Sequence, residues 1–306
     1  MSVAHREPQH RAPPALCASR AVSLATASML IGLASTSAQA QVLAPDGAVL
    51  YAGQRIGTGN GVSITGGVAA ATVKLGNGAA IHGPVDYTNS FDAGPGTRLS
   101  EAARRVDGLN PIEMPEIPTD PGQVVEMSHG ESRAFDPGGY GSFSAGEEVR
   151  ADLAAGVYAF GGVDAGNGMT LRADTSDGDV TVTIDGSFSA GNGVRIENTG
   201  PGRVRLFVRD GFIAGHGAEI EAGVFAGGDI TLGNGAAVTG VLSAGGSIVT
   251  GHGLNAVHDP VSPRAELTSV PESASAWSVG FAAALVASGR RRRRGPDRAT
   301  GRDAHA

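Results

Sequence analysis

The chain has 306 residues, 48 of them glycine and only one cysteine, with a formal net charge of −7. Residues 41–269 hold 13 Lys+Arg against 26 Asp+Glu, a net of −13, which argues against nucleic-acid binding and for solubility outside the cell. Cys17 lies near the N-terminus in a segment expected to be removed, so disulfide and thiol redox chemistry are excluded from the remainder.

Residues 1–40 carry the features of an export signal. Arg6, Arg11 and Arg20 form a basic leader, Ala21–Ser35 is apolar, and Ala38-Gln39-Ala40 is a small-x-small cleavage site. Cleavage after Ala40 makes Gln41 the first residue of the mature chain. The apolar run is short and rich in Ala and Ser, unlike a permanent membrane span.

From residue 41 to 258 the pattern is repetitive. Gly-Asn-Gly or Gly-His-Gly stands at 59–61, 76–78, 166–168, 191–193, 215–217, 233–235 and 251–253. Between these brackets aliphatic residues alternate with polar or small ones, as in Val180, Val182 and Ile184, then Val204, Leu206 and Val208. A period of two means strands with one face buried, and Gly and Asn suit corners because they tolerate positive φ. Repeats of 17–25 residues mean stacked units that cannot bury their apolar face alone. The predicted fold is therefore all-β, a single-stranded parallel β-helix, or solenoid, with Gly-Asn-Gly corners.

First coils are expected over 41–94 and the main solenoid over 142–258. Between them, 95–141 is predicted to hold one short helix (Leu99–Val106) and a proline-rich insertion. There Pro111, Pro115, Pro118 and Pro121 forbid regular strand pairing. That insertion is either a linker or a strap laid along one continuous tube. Pro260 and Pro263 are expected to cap the C-terminal coil. The N-terminal coil, Val42–Ile56, is left uncovered, and weak self-association through it follows.

After a linker at 259–269 comes a tripartite end, residues 270–294, with a polar tail at 295–306. Val270, Pro271 and Glu272 precede an apolar stretch, Ala274–Gly289, and then Arg290, Arg291, Arg292, Arg293 and Arg294. This order resembles the PEP-CTERM sorting signal. Ser273 stands where that motif has a second proline. The resemblance implies recognition by an exosortase-type membrane enzyme in a bacterium that makes exopolysaccharide; the plain alternative is a tail anchor with stop-transfer charge. Runs such as "VKLGNGAAIHGPVD" and "ITLGNGAAVTGVLSAGGSI" look like bactofilin-like, polymer-forming β-helical repeats. That likeness implies a scaffold able to stack end to end. The implied partners are the sorting enzyme and exopolysaccharide or cell-envelope components.

Candidate chemistry is sparse. Asp174, Asp177 and Asp179 are the densest acidic cluster and the one place for calcium, but they lack a ligand frame and read as turn acids. His216 and His252 replace asparagine in two brackets and read as corner residues. Arg203, Arg205 and Arg209 alternate with buried aliphatics and form a basic stripe that would suit an anionic sugar. No catalytic, cofactor or metal residue is assigned. The expected role is a surface or matrix protein with structural or adhesive function. The alternative is a carbohydrate-active enzyme or polysaccharide-binding protein on the same fold.

Overall fold

The computed structural model describes residues 47–110, 114–117 and 122–259. The described residues form 23 strands and no helix, all in one sheet whose strand pairings are parallel. Three strands make a coil. In Val204–Ala222 these are Val204–Val208, Phe212–Ala214 and the start of Glu219–Ala226; the rest of that last strand opens the next coil.

The order of coils along the tube differs from their order in the chain. From one end the stack runs Val125–Phe135, Gly138–Leu153, Gly156–Ala173, Val180–Asn198, Val204–Ala222, Gly223–Gly240 and Val241–Val257. The N-terminal coil, Ala48–Thr65, then stacks on Val241–Val257. Gly67–His82 and Val85–Leu99 follow, with Arg104–Arg105 beyond them. At this seam Leu50 lies opposite Leu242 and Ser63 opposite Asn255.

Two expectations are therefore overturned. The C-terminal coil is not a capped end, and the N-terminal coil is not an open edge for self-association. Each covers the other, because an unpaired strand edge of one is satisfied by the complementary edge of the other. Solenoid coils also begin at Val125, earlier than the expected boundary at 142.

The core is a set of ladders along the axis. One runs Val182, Leu206, Val224, Leu242, Leu50, Val68, Val85, and another Ile196, Ile220, Val238, Ala256, Ile64, Ile81. All are buried. A third contains Phe188 and Phe212, stacked with centroids 4.6 Å apart. Each apolar side chain thus sits between like neighbours above and below, the packing that alternation in the sequence demands.

Leu99–Val106 is not the expected helix. Arg98–Leu99 and Arg104–Arg105 are short strands on the last coils. The Arg98 and Ser100 amides donate to Ala79 and Ile81 carbonyls at 2.7 and 2.9 Å, and that of Val106 donates to Tyr87 at 2.9 Å. Eight residues are too few for an isolated helix to hold in water, so the ready edge of the sheet wins.

Residues 107–110 and 114–117 belong to a strap laid along the tube. Val106 lies beyond the coil at one end of the stack, whereas the Gln123 carbonyl accepts from Gly141 near the other. Part of the way along, the Tyr51 hydroxyl donates to the Asn110 carbonyl, and Arg209 donates to the carbonyl of Ile117, which is itself buried. Between these contacts an outward row, Phe225, Ser243 and Tyr51, is buried rather than solvated. The strap returns the chain along the tube because the main solenoid starts at the end remote from the N-terminal coils.

Candidate functional site: the corner ladder and a mixed-charge cleft

The most regular polar feature is the corner. In addition to the seven expected brackets, Gly94-Pro95-Gly96, Ser128-His129-Gly130 and Gly146-Glu147-Glu148 occupy the same place in their coils. The third corner residue is left-handed, with φ near 70° at Gly61, Gly217 and Gly253. Glu148, φ 58°, is the one non-glycine residue with positive φ among the described residues. Its side chain is exposed, with its carboxylate 3.8 Å from His129 Nε2. Glu148→Gly should therefore stabilise the tube by about 0.5–1 kcal/mol, relieving left-handed strain at some cost in chain entropy. Chemical denaturation at pH 7 reads this directly, as a rise in midpoint at unchanged slope.

The middle corner residue carries the ladder. From Asn192 through Asn77 along the stack, the main-chain N–H there donates to the side chain one coil below. His216 donates to Asn192 Oδ1 (2.8 Å), Asn234 to His216 Nδ1 (2.9 Å), His252 to Asn234 Oδ1 (2.8 Å), Asn60 to His252 Nδ1 (2.8 Å) and Asn77 to Asn60 Oδ1 (2.9 Å). The rung between Asn60 and His252 crosses the seam. Both histidines accept through Nδ1, so they carry their proton on Nε2 and do an asparagine's work. His252→Asn should be near neutral. His252→Ala should cost about 0.5–1.5 kcal/mol, because Asn60 loses its acceptor. Thermal unfolding of the two variants side by side tests this, and equal losses would refute the acceptor role.

Two of the three stripe arginines are paired with aspartates. Arg205 points outward and pairs with Asp179 at 3.0 Å. Arg209 pairs with Asp185 beside the strap. Arg203 donates its main-chain N–H to Asp179 at 2.9 Å; burial and then the neighbouring Arg205 charge push its guanidinium pKa down. The Ser176 hydroxyl and then the Ser176 amide, 3.0 Å away, hydrogen-bond to Asp174 and lower its pKa, a turn contact. Thus Asp174 and Asp179 serve turns and arginines, and no cluster of three His, Cys, Asp or Glu capable of holding a metal occurs among the described residues. Ala38, Ala40, Gln41, Val270, Pro271, Glu272 and Arg290–Arg294 lie outside the described residues.

A feature the sequence did not reveal is an open cleft of about 170 Å³ where three coils meet. Arg203, Arg205, Glu221, Phe225 and Asp259 stand around a floor at Gly223. Gly223 sits in the outward row directly beside Arg205, and the Phe225 ring packs over it, 3.0 Å from where a Cβ would lie. Glu221 is oriented by accepting from the Asn198 amide at 3.1 Å. Planar guanidinium and carboxylate groups at one opening form paired donors and acceptors.

Residues 121–258 match a family model described as "Domain of unknown function (DUF7305)". That span covers the coils on one side of the seam and excludes the N-terminal coils. No curated protein matches the chain. A solved ice-binding protein from the Antarctic ascomycete Antarctomyces psychrotrophicus shows 14% identity and a TM-score of 0.39, covering 70% of this chain and 95% of that one.

Proposed function

We propose that the chain is an exported structural or adhesive rod of the cell envelope or extracellular matrix, retained through its C-terminal end. The observation carrying this reading is the uninterrupted stack, in which strand pairing continues through every coil and across the seam. Such a rod is stiff by construction, since each strand is held on two sides. The seam also places Gly47 and His258 at one corner, where a Cβ on Gly66 would lie 3.1 Å from the Gly47 carbonyl oxygen and 3.0 Å from His258 Cβ. Export by residues 1–40 and sorting by the Val270–Arg294 signal would hold the rod by its waist. Fractionation and intact-mass analysis of the whole chain in its native cell test the proposal. Envelope material beginning at Gln41 and lacking Arg290–Ala306 is expected; cytoplasmic protein with residues 1–40 intact would refute it.

The cleft favours a second reading, polysaccharide binding, because its paired donors and acceptors suit vicinal hydroxyls. Arg205→Ala and Glu221→Gln should each weaken binding to a matrix polysaccharide about tenfold, the loss of one charge-assisted hydrogen bond. Unchanged titrations would dismiss the cleft as the site.

A further inference from the structure

The seam joins two coil edges that are far apart in the chain, yet it is built like the contact between consecutive coils. Its three strand pairings are in register, Leu50 with Leu242, Ile56 with Ile248 and Ile64 with Ala256. Its corner repeats the ladder, with Asn60 donating to His252 Nδ1 and Gly253 donating to the Asn60 carbonyl at 2.9 Å. These contacts depend on edge chemistry alone and are indifferent to whether both edges belong to one molecule.

We propose that the seam is also an interaction surface between two copies of this chain, which exchange their N-terminal coils, residues 48–106. In the exchanged pair, Ala48–Thr65 of one copy closes on the Val241–Val257 edge of the other, and reciprocally. The connection between modules sets the balance. Gly122 follows Val106 by sixteen residues. Within one molecule those residues travel ten coil spacings, about 48 Å at ~4.8 Å each. Sixteen residues reach at most about 53–58 Å, so closure within one chain uses most of the available length. A flexible chain of that length would span only about 20–24 Å on average.

An antiparallel pair of tubes relieves the stretch. There the far end of one tube lies beside the starting end of the other. The gap is then about one tube width, ~20 Å for faces about six residues wide. The arrangement is two-fold symmetric and self-complementary, as coil exchange requires. Pro111, Pro115, Pro118 and Pro121 oppose it. Proline favours extended chain at about 3.1 Å per residue, so sixteen residues reach ~50 Å, close to the intramolecular span. The prolines thus favour closure in one molecule, and softening the strap shifts the partition toward pairs.

The test uses the whole chain. Deleting Met114–Ile117 leaves a reach of about 40 Å, short of the intramolecular span, and should double the mass measured by light scattering. Replacing the four prolines by glycine at constant length should raise the dimer fraction over wild type folded at the same concentration. Independently, Ser63→Cys on one chain and Asn255→Cys on another, each with Cys17→Ser, should form a disulfide-linked two-chain product when folded together, since these positions face each other across the seam. The double variant on one chain, folded dilute, shows that the pair can be oxidised. A deletion variant that folds as a monomer overturns the proposal. If that variant does not fold, absence of the two-chain product while the single-chain disulfide forms overturns it equally.

Discussion

Replacing Phe212 by alanine is expected to lower the stability of the tube by about 3–5 kcal/mol, the range for deleting a buried phenylalanine from a core that cannot collapse. Phe212 is fully buried and stacks on Phe188 at 4.6 Å with an interplanar angle of 10°. On its other side, in register, is Ile230. The backbone above and below is fixed by parallel pairing, so neighbouring coils cannot close the void. Phe212→Leu should cost much less, because it keeps most of the volume. For a domain of this size each kcal/mol lowers the melting temperature by roughly 2–4 °C, so the alanine variant should melt about 6–20 °C lower. Differential scanning calorimetry of both variants tests the claim. A loss below about 1 kcal/mol for Phe212→Ala would mean that the coils do relax into the hole.

The corner supplies the second large effect, through two glycines that look equivalent in the sequence. A Cβ on Gly233 would lie 2.5 Å from the Gly215 carbonyl carbon and 2.5 Å from the His216 nitrogen. Both are backbone atoms of the coil beneath, so Gly233→Ala must push two coils apart and should cost about 3 kcal/mol or more. Gly235, two residues later, has φ +70° and nothing within 4 Å of an added Cβ. Gly235→Ala pays left-handed strain alone, about 1 kcal/mol. The ordering Gly233→Ala well below Gly235→Ala in melting temperature is the expected result. Equal melting temperatures would show that close stacking is not what the first glycine is for.

The first glycine admits the neighbouring backbone, the middle residue carries the ladder acceptor, and the last glycine turns the chain. This division of labour explains why the corner recurs as Gly-Asn-Gly or Gly-His-Gly and why Glu147 and Glu148 can enter a corner at a modest cost. It also explains why the corners at Gly94 and Ser128 escaped the bracket pattern. Pro95 stands at the middle of one and Ser128 at the first position of the other, and a corner is defined by its place in the stack as much as by its letters.

Much was legible in the sequence because it depends on local chemistry. Alternation in "VTVTI" and "VRLFV" dictates which side chains face inward, and Val180, Val182, Val204, Leu206 and Val208 are buried as that pattern requires. Glycine brackets at fixed spacing dictate coils, and coils dictate parallel pairing. The site was less legible. Arg205 was identifiable as outward-facing, but its partner Asp179 and the cleft at Gly223 depend on which residues stand one coil above and below.

What only the tertiary structure decided is the order of stacking. Every coil presents the same kind of edge, so no local signal tells Ala48–Thr65 to stack on Val241–Val257 rather than stand at an end. The same indifference turned Leu99–Val106 from an expected helix into strand, since an open edge at Ala79, Ile81 and Tyr87 offered its amides partners. The strap decided the rest. Its length lets one chain leave the far end of the tube and begin again at the other, a constraint of reach that composition and periodicity do not contain.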